Sequence, residues 1–323
     1  MRSRNFTLAL ALCGLLPLAW AQPAPYPNKP LRIVVGFAPG GAADYVARSM
    51  SEALSKAMKQ TVVIENKPGN GSSLAAELVA KAPADGYTLM VASPAAMSVN
   101  PALNPKLTYK PSDFIAVTKM TTSPLVLAVN PSSSIRSVAD LIAEAKANPG
   151  KLNYSTSGNG SAPHLGAALF SLLTKTEMTH VPYRGGSFAI TSVMAGETQL
   201  TFGTSPSVLP QATAGKLRAI AVSTRERSAL VPHLPGMREA GLPDYHMEFW
   251  YGMFVPAGTP APVVKAIYDA VQTAMQQPSV KASLEREGTE VSLSSSPEQF
   301  ASYLTEDSKF WVNLVKTANV KVD

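Results

Sequence analysis

The chain has 323 residues, of which 46% are hydrophobic and 15% charged, with a formal net charge of +6. That length suits one large domain or two of about 100–200 residues each. The apolar share excludes a disordered chain, and 21 glycines with no Gly-X-Y period exclude collagen.

Arg2 and Arg4 precede an uncharged run from Leu8 to Trp20, and Ala19-Trp20-Ala21 stands ahead of Gln22. This is the pattern of a secretory signal with an A-x-A site, which predicts cleavage after Ala21. The run is shorter than the roughly 18 residues a membrane span needs, so the mature chain is expected to be exported and soluble. Without residues 1–21 and their two arginines, 26 basic residues face 22 acidic ones, a net charge of +4. So small a charge, spread along the chain, is no nucleic-acid footprint. Cys13 lies in the signal and is the only cysteine, so disulfides, thiol catalysis and cysteine zinc sites are excluded from the mature chain.

Strand-like and helix-like runs alternate throughout, which predicts an α/β class with mainly parallel sheets. Leu31–Phe37 reads as a strand, Ala38-Pro39-Gly40-Gly41 as a turn and Ala43–Met58 as a helix with Asp44 in its first turn, where the helix dipole favours an acid. Thr61–Ile64 follows as a strand, Lys67–Gly71 as a turn, Ser72–Ala82 as a helix, Gly86–Ser93 as turn and strand, and Ile115–Val117 as a further strand. The polar stretch Thr121-Thr122-Ser123-Pro124 reads as a break between domains, with a new strand at Leu125–Asn130. Beyond it come a helix at Val138–Ala147, a strand near Asn153–Thr156, the loop Gly158-Asn159-Gly160 and a helix from Pro163. Gly-Asn-Gly-Ser occurs at both 69–72 and 158–161, which suggests two related lobes. The aromatic run Phe249–Val255 reads as a buried return crossing rather than an aromatic cage. Helices at Ala261–Met275, about 280–288 and 297–317 then rejoin the first lobe. The expected division is 22–123 with 250–323 as one lobe and 124–249 as the other.

Catalytic motifs are thin. The four histidines have no zinc-ligand spacing, and no G-x-S-x-G elbow, P-loop lysine or G-x-G-x-x-G follows a strand. The two glycine turns, Pro39–Ala43 and Ser157–Ala162, each lead into a helix. Such turns present backbone N–H groups to an anion, a carboxylate here, or serve only to turn the chain. Ser157, Asn159 and Ser161 add side-chain donors to the second. His164 reads equally as a ligand donor and as a packed ring. Tyr183 and Arg184 offer a ring face and a counter-charge, or a packed tyrosine beside a solvated arginine.

An ordered set of stretches resembles the Bug receptors, the extracytoplasmic solute-binding proteins of tripartite tricarboxylate transporters. They include Tyr26–Pro30 with Leu31–Asp44, Glu65–Gly69, Asp85–Leu89, Pro149–Tyr154, Gly158–Ser161 with His164, Val181–Tyr183, Ala214–Arg218 and Pro256–Pro260. The resemblance implies a two-lobed periplasmic binding protein type II fold, a Venus flytrap, with a carboxylated ligand between lobes and transporter membrane subunits as partners. It implies no reaction, cofactor or metal. The expected ligand contacts are Phe37, Ala38, Pro39, Gly40, Gly41, Ala42, Asp44, Ser93, Ser157, Asn159, Gly160, Ser161, His164, Tyr183, Gly203 and Thr204. Gly203 stands where several amino-acid-binding relatives carry an aspartate for the ligand's ammonium, a charged hydrogen bond worth about 1.5–3 kcal/mol. An amino-free dicarboxylate is therefore expected, with an aromatic diacid such as terephthalate ahead of citrate-like acids and Phe37, Tyr45 and Tyr183 along its middle. The protein is expected to be a periplasmic monomer. Two other readings are a ligand-sensing partner of a sensor kinase and a secreted serine hydrolase using Ser157 or Ser161 with His164.

Overall fold

A computed structural model describes residues 26–320; the expected signal and its cleavage site lie outside them. In chain order the elements are β1 (Leu31–Val35), α1 (Ala42–Met58), β2 (Val62–Asn66), α2 (Ser73–Ala80), β3 (Thr88–Ala92), α3 (Asn100–Leu103) and β4 (Phe114–Val129). There follow α4 (Val138–Ala147), β5 (Asn153–Thr156), α5 (Ala162–Thr174), β6 (Thr179–Pro182), α6 (Gly186–Ala195), β7 (Leu200–Thr204), α7 (Ser205–Thr213) and β8 (Arg218–Val222). The chain closes with β9 (Glu248–Pro256), α8 (Ala261–Met275), α9 (Pro278–Arg286), β10 (Glu290–Val291) and α10 (Pro297–Thr317).

The strands form two sheet regions with one plan. In the first, β2, β1 and β3 are parallel and β9 then β4 join antiparallel. In the second, β6, β5 and β7 are parallel, and β4 then β8 join antiparallel. Each therefore reads second, first, third, crossing strand. The sheets are mixed rather than mainly parallel, because the chain passes between regions on antiparallel strands.

The polar stretch at 121–124 does not interrupt the secondary structure: β4 is a single strand of 16 residues that runs through it and crosses there from one sheet region to the other. Its pairing changes there, with β9 as far as Pro124↔Glu248 and with β7 from Leu125↔Thr204. Distant groups hold the polar residues in strand form. Ser123 donates to Thr289, Ser205 donates to the Pro124 carbonyl, and the Leu125 amide donates to the Ser223 hydroxyl. Ser223 in turn donates to the Met247 carbonyl, so both crossing segments are joined at one serine.

Apolar burial on both faces fixes the helices. Val46 and Met50 of α1 pack with Ile267 of α8 in the largest core, which extends through Leu125 and Phe202 into the second region. Trp250, Phe254 and Phe300 close the opposite face of the first sheet, and Ile190 and Val208 that of the second.

Candidate functional site

Phe37, Ser93, Ser157 and Thr204 stand at or just beyond the carboxyl ends of β1, β3, β5 and β7, the same four places in the two sheet plans. All four line one inner cavity, together with the first residues of α1 (Ala42, Ala43) and α5 (Ala162, Pro163). Ligands of open α/β sheets bind at the carboxyl ends of parallel strands, where helix N-termini favour negative charge. Here two such helices converge on one space. Phe249 and Tyr251 of β9 complete its wall, so the aromatic run is at once a buried strand and a lining element. Burial raises the Tyr251 phenol above its ordinary range, so it stays protonated and able to donate.

A second cavity of about 170 Å³ adjoins it, sharing Phe37 and Ser157. Its lining includes Gly69, Asn70, Gly71 and Ser72 on one side and Gly158, Asn159, Tyr183 and Arg184 on the other. The two Gly-Asn-Gly-Ser copies thus face each other. A Cβ at Gly71 would lie 2.3 Å from the Asn159 carbonyl oxygen. Around them the halves touch directly: the Ala38 amide donates to the Arg184 carbonyl, and Ser187 donates to the Pro39 carbonyl. The 69–72 loop was absent from the expected contacts, although the repeated tetrapeptide was its signal.

The final serine of each copy is the unusual one. Ser72 and Ser161 are each 1% exposed, and neither hydroxyl has a hydrogen-bond partner. Ser72 also holds a left-handed backbone at φ 78, uncommon outside glycine. An unmade hydrogen bond on a buried hydroxyl costs about 1–3 kcal/mol. Both serines line the cavities, one in each, so a polar ligand there would satisfy both.

The glycine turns offer fewer free amides than expected. In the first, Ala38 N–H goes to Arg184, Gly40 N–H to Asp44 and Gly41 N–H to the Ala38 carbonyl. What remains is the opening of α1 at Ala42 and Ala43, whose amides have no intrahelical partner. In the second, Gly158 donates to Thr156 and Gly160 to His164 Nδ1. Ala38 and Pro39 therefore join the halves and Gly40 is tied to Asp44 of its own half, none of the three lining a cavity, whereas Gly41 and Ala42 line the inner one.

Three of the expected residues have other work. Asp44 is 3% exposed and accepts from Gly40 N–H, Arg48 and Asn66. Burial alone would raise its carboxyl, but the bonds from Arg48, Gly40 and Asn66 outweigh it and hold the group below the ordinary carboxylate range. Asp44→Ala should lower stability by about 1–3 kcal/mol, the cost of stranding its donors, and weaken ligand binding through the loosened turn. Thermal unfolding and titration of the same variant check both. His164 lies behind its loop, stacked on His180 at 3.8 Å, with Gly160 N–H on its Nδ1. It makes no hydrogen bond to Ser157 or Ser161, so no serine–base pair is formed. Tyr45 turns to α9, bonding Ser283, and lines neither cavity.

Gly203 is the clearest correction. A side chain there would start 2.5 Å from Val208 and 3.2 Å from Ile190, inside the core of the second region and away from the cavities. Strand neighbours face opposite ways, and Thr204 is the residue that lines the site. Gly160 likewise lies behind the lining, its Cβ position 2.5 Å from the Asn100 side-chain oxygen. Among the described residues, neither cavity is lined by an acidic side chain, and Arg184 is their only charged one.

Comparison with known proteins places this geometry. A family model described as "Tripartite tricarboxylate transporter family receptor" matches residues 46–320. Protein BugT of Bordetella pertussis is 30% identical over 325 residues, covering 98% of this chain and 99% of that protein. The solved structure of Rhodopseudomonas palustris Rpa4515 with adipate superposes with a TM-score of 0.88 at 33% identity, covering 92% of this chain and 99% of that one. MatC from the same organism, with bound malate, gives 0.85 at 31% identity, covering 90% and 100%. The architecture is that of periplasmic binding proteins. The chain belongs to the tripartite tricarboxylate transporter receptor family, and its fold is that of a solute-binding receptor.

Proposed function

We propose that this protein is a periplasmic receptor that captures a small amino-free dicarboxylate between two lobes, 22–123 with 250–323 and 124–249, and delivers it to the membrane subunits of a tripartite tricarboxylate transporter. Residues 1–21 act as its export signal, and it works as a monomer with no cofactor, metal or catalytic group. The observation that carries this reading is the pair of buried, unpartnered hydroxyls, Ser72 and Ser161, one from each half, in adjoining cavities. Their placement, one in each of two adjoining cavities, suits a ligand with a polar group at each end. The solved relatives named with adipate and malate support that chemistry.

The lining selects among acids. With no carboxylate in either cavity, a ligand ammonium would lose its water without gaining a charged partner, which costs about 1.5–3 kcal/mol. Aspartate is disfavoured on that ground rather than through Gly203. A third carboxylate, as in citrate, would find no second cation. Phe37 lines both cavities, with Tyr183 in the outer one and Phe249 and Tyr251 in the inner one, and these aromatic walls support terephthalate ahead of citrate.

Titration calorimetry of ligand-stripped protein with adipate, malate, terephthalate, citrate and aspartate tests this. The expected result is one-to-one binding of a dicarboxylate at about micromolar or tighter, with Ser161→Ala weakening it about tenfold. A preference for aspartate, or no binding of any acid, would contradict the reading.

A further inference from the structure

Arg184 stands out within the outer cavity. It follows β6, and its own carbonyl is tied to Ala38 of the other half, which fixes its backbone at the contact between halves. Its guanidinium makes no ion pair or hydrogen bond among the described residues, as is true of Arg136, Arg225 and Arg286, but Arg184 alone of these lines the outer cavity. Across the cavity lies the unpartnered Ser72 hydroxyl. The inner cavity, in contrast, has only neutral polar groups among the described residues: Ser93, Ser157, Ser161, Tyr251 and the first amides of α1, with Thr204 donating to Ser207 and left to accept.

The two ends of the site are therefore chemically unequal. One carboxylate fits the inner end, held by dipoles and hydroxyls. A guanidinium presents a planar fork that matches a carboxylate's two oxygens, a geometry an ammonium lacks. We propose that Arg184 is the specificity-determining residue that makes this receptor select dicarboxylates over monocarboxylates, by pairing with the distal carboxylate in the outer cavity. The assignment rests on the receptor reading and adds to it which residue sets the ligand's charge.

The test compares each diacid with its half-ester, which has the same chain and one carboxylate fewer: adipate with monomethyl adipate, and terephthalate with monomethyl terephthalate. Titrations of wild type and Arg184→Gln give the ratio of affinities within whichever pair binds. Wild type should favour the diacid by about 10- to 100-fold, the range for a charge-assisted hydrogen bond. Arg184→Gln should bring the ratio to about 3 or below, with the larger loss falling on the diacid. Arg184→Lys, which keeps the charge and loses the fork, should fall between. The side chain is exposed and has no internal partner, so the variants retain the fold, and thermal unfolding of each ligand-stripped variant at the wild-type temperature verifies it. An unchanged ratio in Arg184→Gln, or equal binding of diacid and half-ester by wild type, overturns the assignment to Arg184 alone. Failure of wild type to bind any of these acids overturns the receptor reading itself.

Discussion

Replacing Gly71 with valine should remove ligand binding while leaving both halves folded. Gly71 has φ 58 and ψ 39, and its Cβ position lies 2.3 Å from the carbonyl oxygen of Asn159 and 3.2 Å from the side-chain amide of Asn100. A backbone carbonyl has no rotamer to escape into. Any side chain at 71 must push apart the two loops that enclose the outer cavity. If binding requires those loops together, the variant should bind at least about 100-fold more weakly, about 3 kcal/mol. Gly215→Val is the matching control. It has a comparable φ of 71 with nothing within 4 Å of the added Cβ, so it carries the backbone strain without the obstruction. Equal losses in both variants would mean that strain, not closure, is responsible.

The second large effect concerns acid. Burial, and then the neighbouring His180, push the His164 imidazole down to about 3 from its ordinary 6.5. The folded protein thus prefers the neutral ring, whose Nδ1 accepts the Gly160 N–H. Between those two values the unfolded chain binds the extra proton, so the stabilisation is complete above about pH 6.5 and declines as pH falls toward 3. The loss reaches about 2 kcal/mol by pH 5, at up to about 1.4 kcal/mol per pH unit. His164→Asn places an amide oxygen near the Nδ1 position and does not titrate. Its stability should therefore change less between pH 6.5 and 5 than that of wild type, as measured by denaturant unfolding. Parallel pH profiles would show that His164 does not carry the loss of stability in acid.

Elements marked by local signals were legible in the sequence. The helices at Val138–Ala147 and Ala261–Met275 have the expected bounds, and apolar periodicity with proline or glycine at the ends explains why. The course of β4 was not legible, because Thr121–Pro124 is kept in strand form by Thr289, Ser205 and Ser223, which lie far off in the chain. The same limit applies within the site. Ser157 and Thr204 line it as the strand ends suggest, yet the neighbouring Gly203 faces the core, since a shift of one residue reverses the face. Asp44 reads equally well from sequence as a dipole acid or a ligand contact. Only the positions of Arg48, Asn66 and Gly40 show its carboxylate holding the turn. The duplicated Gly-Asn-Gly-Ser was visible from the start, but that its copies meet across the cavity depends on the sheets that carry them.

Small-angle scattering of ligand-stripped protein, alone and with a saturating dicarboxylate, tests the central claim most directly. A receptor that encloses its ligand should become more compact on binding, and Gly71→Val should stay at the dimensions of the unliganded protein. Identical scattering with and without a bound dicarboxylate would contradict capture between two closing lobes.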